Sequence, residues 1–100
     1  MLDKACVHLH AGIAMYLVGE YFIECYPEQI SADRWTAWAK ISRRNDYRRF
    51  ASVPTVEYPT GVQTHTRATA ERAGVNWAKV LIANKRDELE ESLEQSLSAP

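Results

Sequence analysis

The chain reads as an all-α protein, a small single domain of four helices with room for a short β-hairpin over residues 55–65. Three observations predict this. Apolar residues recur at three- and four-residue spacing from Leu2 to Tyr21, and again from Trp35 to Ile41, which is the period of a helix face. One connector of some length, Val53 to Gln63, bears both proline and glycine. Beyond it, small residues around Gly74 have the spacing of two helices meeting at a tight corner.

Length and composition bound the rest. One hundred residues make one domain with a modest core, and 46% hydrophobic with 25% charged residues is ordinary for a soluble globular protein. Two cysteines, Cys6 and Cys25, are too few for a disulfide framework and read as reduced core thiols. Met1-Leu2-Asp3-Lys4 lacks the basic start of a signal peptide, and the apolar run from Ala5 to Val18 is interrupted by His8, His10 and Gly12. It is too short to span a membrane. These features predict a cytoplasmic protein without a membrane partner.

Charge is segregated along the chain. Residues 1–33 carry a net −4, residues 34–86 hold eleven Lys/Arg against three acids for +8, and residues 87–100 hold five acids and no base. A basic middle between acidic ends suggests a polyanionic partner, or three segments that satisfy one another within the fold.

The first helix is expected from Asp3 to Tyr26, carrying Leu2, Cys6, Leu9, Ile13, Leu17 and Tyr21 on one face and stopped by Pro27. Val7, Ala14, Val18 and Phe22 make other faces apolar, so this helix is buried or lies at the interface of a homodimer. Cys6 and His10 share a face at i, i+4, but His8 points elsewhere and Cys25 is about five turns away, so no metal site is assigned. Ser31 caps a second helix running to about Phe50. Trp35, Trp38 and Ile41 form its apolar side, and Arg34, Lys40, Arg43, Arg44, Arg48 and Arg49 its surface. Arginines interleaved with Tyr47 and Phe50 can hold phosphates and stack on bases; they can equally be a solvated face covering tryptophan edges.

Pro54 and Pro59 exclude helix from the connector. Thr55–Tyr58 and Val62–His65 can pair across Pro59-Thr60-Gly61, with a plain extended linker as the alternative. The domain thus divides into a helical assembly half (1–52), a connector (53–63) and a C-terminal half (64–100).

In Thr64–Arg86, Ala70 permits close approach of two helix axes, Gly74 ends the first in the left-handed region, Val75 and Val80 plug the angle, and Asn76 caps the second. Thr66 or Thr64 caps the first. The segment resembles the helix-turn-helix DNA-binding motif of phage-repressor-type regulators, over about a quarter of the chain; an ordinary helical hairpin is the alternative. The resemblance implies that Asn76, Trp77 and Lys79 enter the major groove and read bases. Arg67, Arg72, Lys85 and Arg86, with His65, would hold phosphates, joined by Arg43, Arg44, Arg48 and Arg49. Leu81, Leu89, Leu93 and Leu97 extend a helical stripe into the acidic tail, which must point away from any duplex.

No glycine-rich phosphate loop, zinc motif or nucleophile elbow is present, so no enzyme activity and no cofactor are expected. The sequence therefore predicts a small, dimeric regulator binding double-stranded DNA. The rival reading is an interaction module, such as an adaptor, inhibitor or phage-encoded assembly subunit, that offers Trp35, Trp38, Trp77 and its arginines to an acidic protein.

Overall fold

The computed structural model describes residues 6–8, 14–50 and 52–98. It overturns the all-α expectation. Five strands, β1 (Cys6–His8), β2 (Ala14–Val18), β3 (Tyr21–Ser31), β4 (Arg34–Arg43) and β5 (Thr55–Pro59), form one antiparallel sheet in sequential order. Three helices complete an α+β fold: α1 (Asp46–Arg49), α2 (Arg67–Asn84) and α3 (Arg86–Ser98).

Where the first helix is expected, the described residues form β1, β2 and the start of β3. Val18 pairs with Tyr21 across Gly19-Glu20, and Gly19 takes φ 60, the left-handed conformation that two-residue hairpin loops demand. Ser31 likewise does not cap a helix. It pairs with Arg34 across a turn at Ala32-Asp33, after a register shift between Gln29 and Ser31. Pro27, expected to stop a helix, lies inside β3 opposite Ala37. The Ala37 carbonyl accepts from Thr60 on the β5 side, so this is a pair whose backbone groups point outward. The missing proline N–H thus points away from β4, and the β3–β4 ladder loses no bond.

The hairpin expected over 55–65 is also absent. Thr55–Pro59 is a strand, but its partner is β4, with Val56 opposite Ile41 and Tyr58 opposite Ala39. Thr64 makes a bridge to Trp35 instead, and Gly61 turns the chain at φ 75.

The helix-turn-helix corner is replaced by one continuous helix, α2. Its start agrees with the sequence: Thr66 accepts from the Thr69 N–H while the Thr69 hydroxyl accepts from the Thr66 N–H, a reciprocal cap. Gly74 has no left-handed φ and lies mid-helix, because α2 packs on a sheet there rather than on another helix. Ala70, Gly74 and Ala78 recur every four residues and are buried. A Cβ on Gly74 would come within 2.6 Å of the Cys25 Sγ and 3.0 Å of the Ala37 Cβ. Small residues on both partners let the helix axis approach the strands closely.

Strand alternation sets the core. Tyr16, Tyr21, Ile23, Cys25, Ala37, Ala39 and Ile41 face the helices, meeting Val75, Ala78 and Ile82 of α2 and Leu89 and Leu93 of α3. Of the leucine stripe in the tail, Leu89 and Leu93 dock on this core, after the chain breaks from α2 at Lys85. The described residues of the expected helical half form β1 to β4 and the short α1 instead of two long helices.

Candidate functional site

The predicted binding residues do not gather on one flank. Arg43 ends β4 and turns into a carboxylate cluster, with Asp46 at 2.8 Å, Glu90 at 2.9 Å and Glu94 at 3.0 Å. Tyr21 donates its hydroxyl to the same Glu90. Desolvation opposes the guanidinium charge, but hydrogen bonds to Asp46, Glu94 and Glu90 outweigh it and hold the Arg43 pKa above its ordinary value. The cluster ties α3 to the end of the sheet, so Arg43 is structural. Arg44, Arg48 and Arg49 are exposed around α1, and Arg49 lies 5.3 Å over the Phe50 ring.

On α2, Arg67 sits at the N-terminus, while Arg72, Asn76 and the exposed Val80 follow one another at four-residue spacing on its outer side. Asn76 caps nothing. Lys79 is half-buried. Trp77 packs on Tyr58 at 5.8 Å and edges the core. Lys85 is exposed at the helix C-terminus, and Arg86 lies 5.8 Å over the Tyr21 ring. Arg67 follows the Thr64–Trp35 bridge at one end of β4, whereas Arg86 lies beside Tyr21, the register partner of Arg43 at the other. Ten strand residues, about 30 Å, separate those ends.

The other side of the sheet carries the more organised surface. The helix contacts above arise from one strand parity; among the described residues α2 and α3 leave the opposite parity open and α1 packs on one end of it, while Met15, Glu24 and Ser42 of that parity are buried. There Tyr47 packs edge-on against Phe22 at 5.2 Å and its hydroxyl lies 3.2 Å from that of Ser42. Farther along, the register aligns Tyr26, Trp38 and Pro59 across β3, β4 and β5. One step toward α1 lie Glu24, Lys40 and Glu57; one step away lie Glu28 and Thr36. Trp38 is 39% exposed, and its indole N–H donates to Glu28 at 3.4 Å. Tyr26 donates to Glu24 at 2.8 Å. Burial, that hydrogen bond and the fields of Glu24 and Glu57 push the Tyr26 phenol up to about 12.

Of the three tryptophans, Trp35 and Trp77 pack on the core and Trp38 alone faces outward. The expected Trp/Arg surface is thus divided: Trp38 stands among carboxylates, while exposed arginines sit apart from it, Arg44, Arg48 and Arg49 around α1 and Arg67 and Arg72 on α2. Tyr26, Glu24, Glu28, Lys40 and Glu57 were missed as site residues. Their signal was period two: Tyr21, Ile23 and Cys25 alternate with Phe22, Glu24 and Tyr26.

Among the described residues no group of His, Cys, Asp and Glu could hold a metal. The Cys6–His10 pairing lies outside the described residues at His10. No helix is long and apolar enough to cross a membrane.

Fold and surface together describe an α+β domain in which, among the described residues, the long helices cover one sheet face and leave Trp38 on the other exposed. The chain belongs to the family described as "Domain of unknown function (DUF6566)", which matches residues 11–98. No curated protein and no solved structure matches it.

Proposed function

We propose that the protein is an interaction domain that binds another protein on the uncovered face of its sheet. The observation that carries this reading is Trp38. A domain this small has few large apolar side chains, and burying one in the core would stabilise it by about 1.5–3 kcal/mol. Trp35 and Trp77 contribute in that way, while Trp38 stays 39% exposed beside Tyr26. Exposed tryptophan and tyrosine in contact with polar rims are the residues that dominate protein interfaces.

The test is a photo-crosslinking residue at position 38, with one at position 76 on α2 as the control. A partner captured at 38, purified and titrated in isolation, should bind Trp38→Ala about 30-fold more weakly than the parent protein. Equal binding by the two proteins would count against the reading.

A second reading follows from one further observation: Arg44, Arg48 and Arg49 are exposed and have no ion pair among the described residues. They suit a polyanion, either nucleic acid or an acidic protein. Duplex readout through a recognition helix is no part of it, since α2 is unbroken. Retention on duplex DNA that falls steeply with salt and is lost on changing all three arginines to alanine would favour it.

A further inference from the structure

Resting on the interaction reading, we infer that the segment docked on this face is cationic: an extended arginine- or lysine-bearing stretch of a partner protein whose head groups lie over Trp38 and Tyr26, between Glu28 and Glu57. Three features lead there. The register sets Tyr26 directly opposite Trp38, so two π-systems stand in one row of neighbouring strands. Guanidinium and ammonium groups bind such faces, more strongly as water is excluded. The row is bordered on both sides by acids, Glu24 and Glu57 on one and Glu28 on the other, against the cation Lys40. Glu24 is 8% exposed and holds the Tyr26 hydroxyl, so Glu28 and Glu57 are the carboxylates a partner can reach.

Charge complementarity is the second argument. Residues 34–86 carry +8, yet alternation places no arginine of β3 or β4 on this part of the face. Arg43 points into the carboxylate cluster on the helix side, and Arg44, Arg48 and Arg49 lie beyond Ser42. Arg34 shares the Trp38 parity but lies past Thr36 at the far end of β4, where it donates to Gln63 at 3.0 Å. A locally negative, aromatic surface within a basic region selects a positively charged occupant over an acidic one. Spacing is the third. Rows two residues apart on a strand are separated by about 7 Å, which is also the repeat of same-side residues in an extended peptide. Alternate basic side chains can therefore meet successive rows.

The test uses the full chain, labelled with 15N, and two capped peptides of equal length, one alternating Arg with Ala and the other Glu with Ala. The arginine peptide should shift the Trp38 indole N–H resonance saturably, leave those of Trp35 and Trp77 in place, and lose affinity with salt. Changing both Glu28→Gln and Glu57→Gln, which are exposed and leave the core intact, should weaken it about tenfold. Absence of a shift, equal shifts with the glutamate peptide, or a Trp38 shift that depends on protein concentration alone, as for a second copy, would overturn the inference. If crosslinking at position 38 succeeds but the captured segment is acidic or apolar, this inference fails and the interaction reading stands. If neither experiment reports binding at Trp38, both fail.

Discussion

Gly74→Ala isolates the contact that fixes how α2 meets the sheet. The added methyl would lie 2.6 Å from the Cys25 Sγ and 3.0 Å from the Ala37 Cβ. Both neighbours belong to paired strands, with Cys25 2% and Ala37 0% exposed. Two effects oppose. Alanine favours a helix over glycine by about 1 kcal/mol, whereas overpacking a filled core costs about 1–3 kcal/mol. With strand backbone behind each contact, overpacking wins, and the net loss should be about 1–2 kcal/mol. That corresponds to a Tm lower by about 5–10 °C for a domain this size. Cys25→Ala alone removes one buried heavy atom and should cost about 1 kcal/mol or slightly more. In the double variant the new methyl occupies the space the sulfur left, so stability should return to within about 0.5 kcal/mol of the parent. The coupling energy would be about 2 kcal/mol. Urea unfolding followed by circular dichroism, with unchanged m-values, measures all four proteins. Additive effects would refute the reasoning, and so would a Gly74→Ala protein as stable as the parent. A glycine ending a helix in the left-handed region would also be damaged by alanine, but without any rescue from residue 25.

Other perturbations give distinct outcomes. Arg43→Met leaves Asp46, which is 2% exposed, without its cation; unfolding should show a loss of about 2–4 kcal/mol, and amide exchange in α3 should accelerate. Thr66→Ala removes the hydroxyl that accepts from the Thr69 N–H, the side-chain half of the α2 cap, and should cost about 1 kcal/mol by the same urea assay. Burial, with the Glu71 field second, pushes the Cys25 thiol up to about 12. Burial, with the Glu90 hydrogen bond second, pushes the Tyr21 phenol to about 12. Both groups keep their protons in the folded state where the unfolded chain has released them. Stability should hold below about pH 9 and fall as pH rises toward 12. A stability flat to pH 12 would contradict this. In native protein near neutral pH, Cys25 should resist thiol reagents, with labelling located by peptide mass mapping.

Some of this fold was legible in the sequence. The cap at Thr66, the leucines of α3 and the non-helical connector all follow from local rules. The strands were misread because both periods fit the same letters. Ala14, Met15, Tyr16, Leu17 and Val18 form an unbroken apolar run, which alternation cannot separate from a buried helix. In β4, Trp35, Trp38 and Ile41 mimic a helix face because tryptophans occupy both parities, while Trp35, Ala37, Ala39 and Ile41 carry the true alternation. Val18-Gly19-Glu20-Tyr21 was the local hairpin signal. The small residues around Gly74 did indicate close packing, but their partners, Cys25 and Ala37, lie far away in sequence. No local spacing could name them. For the same reason the carboxylates around Trp38 were not expected: cross-strand neighbours exist only once the register is known.

A bound partner should mark the uncovered row of the sheet by protecting its backbone. Hydrogen–deuterium exchange of the partner-bound protein should show protection concentrated in residues 24–28, 36–40 and 57–59, across the row that contains Trp38. Protection confined to residues 72–80 on the outer side of α2, with the sheet unchanged, would contradict it.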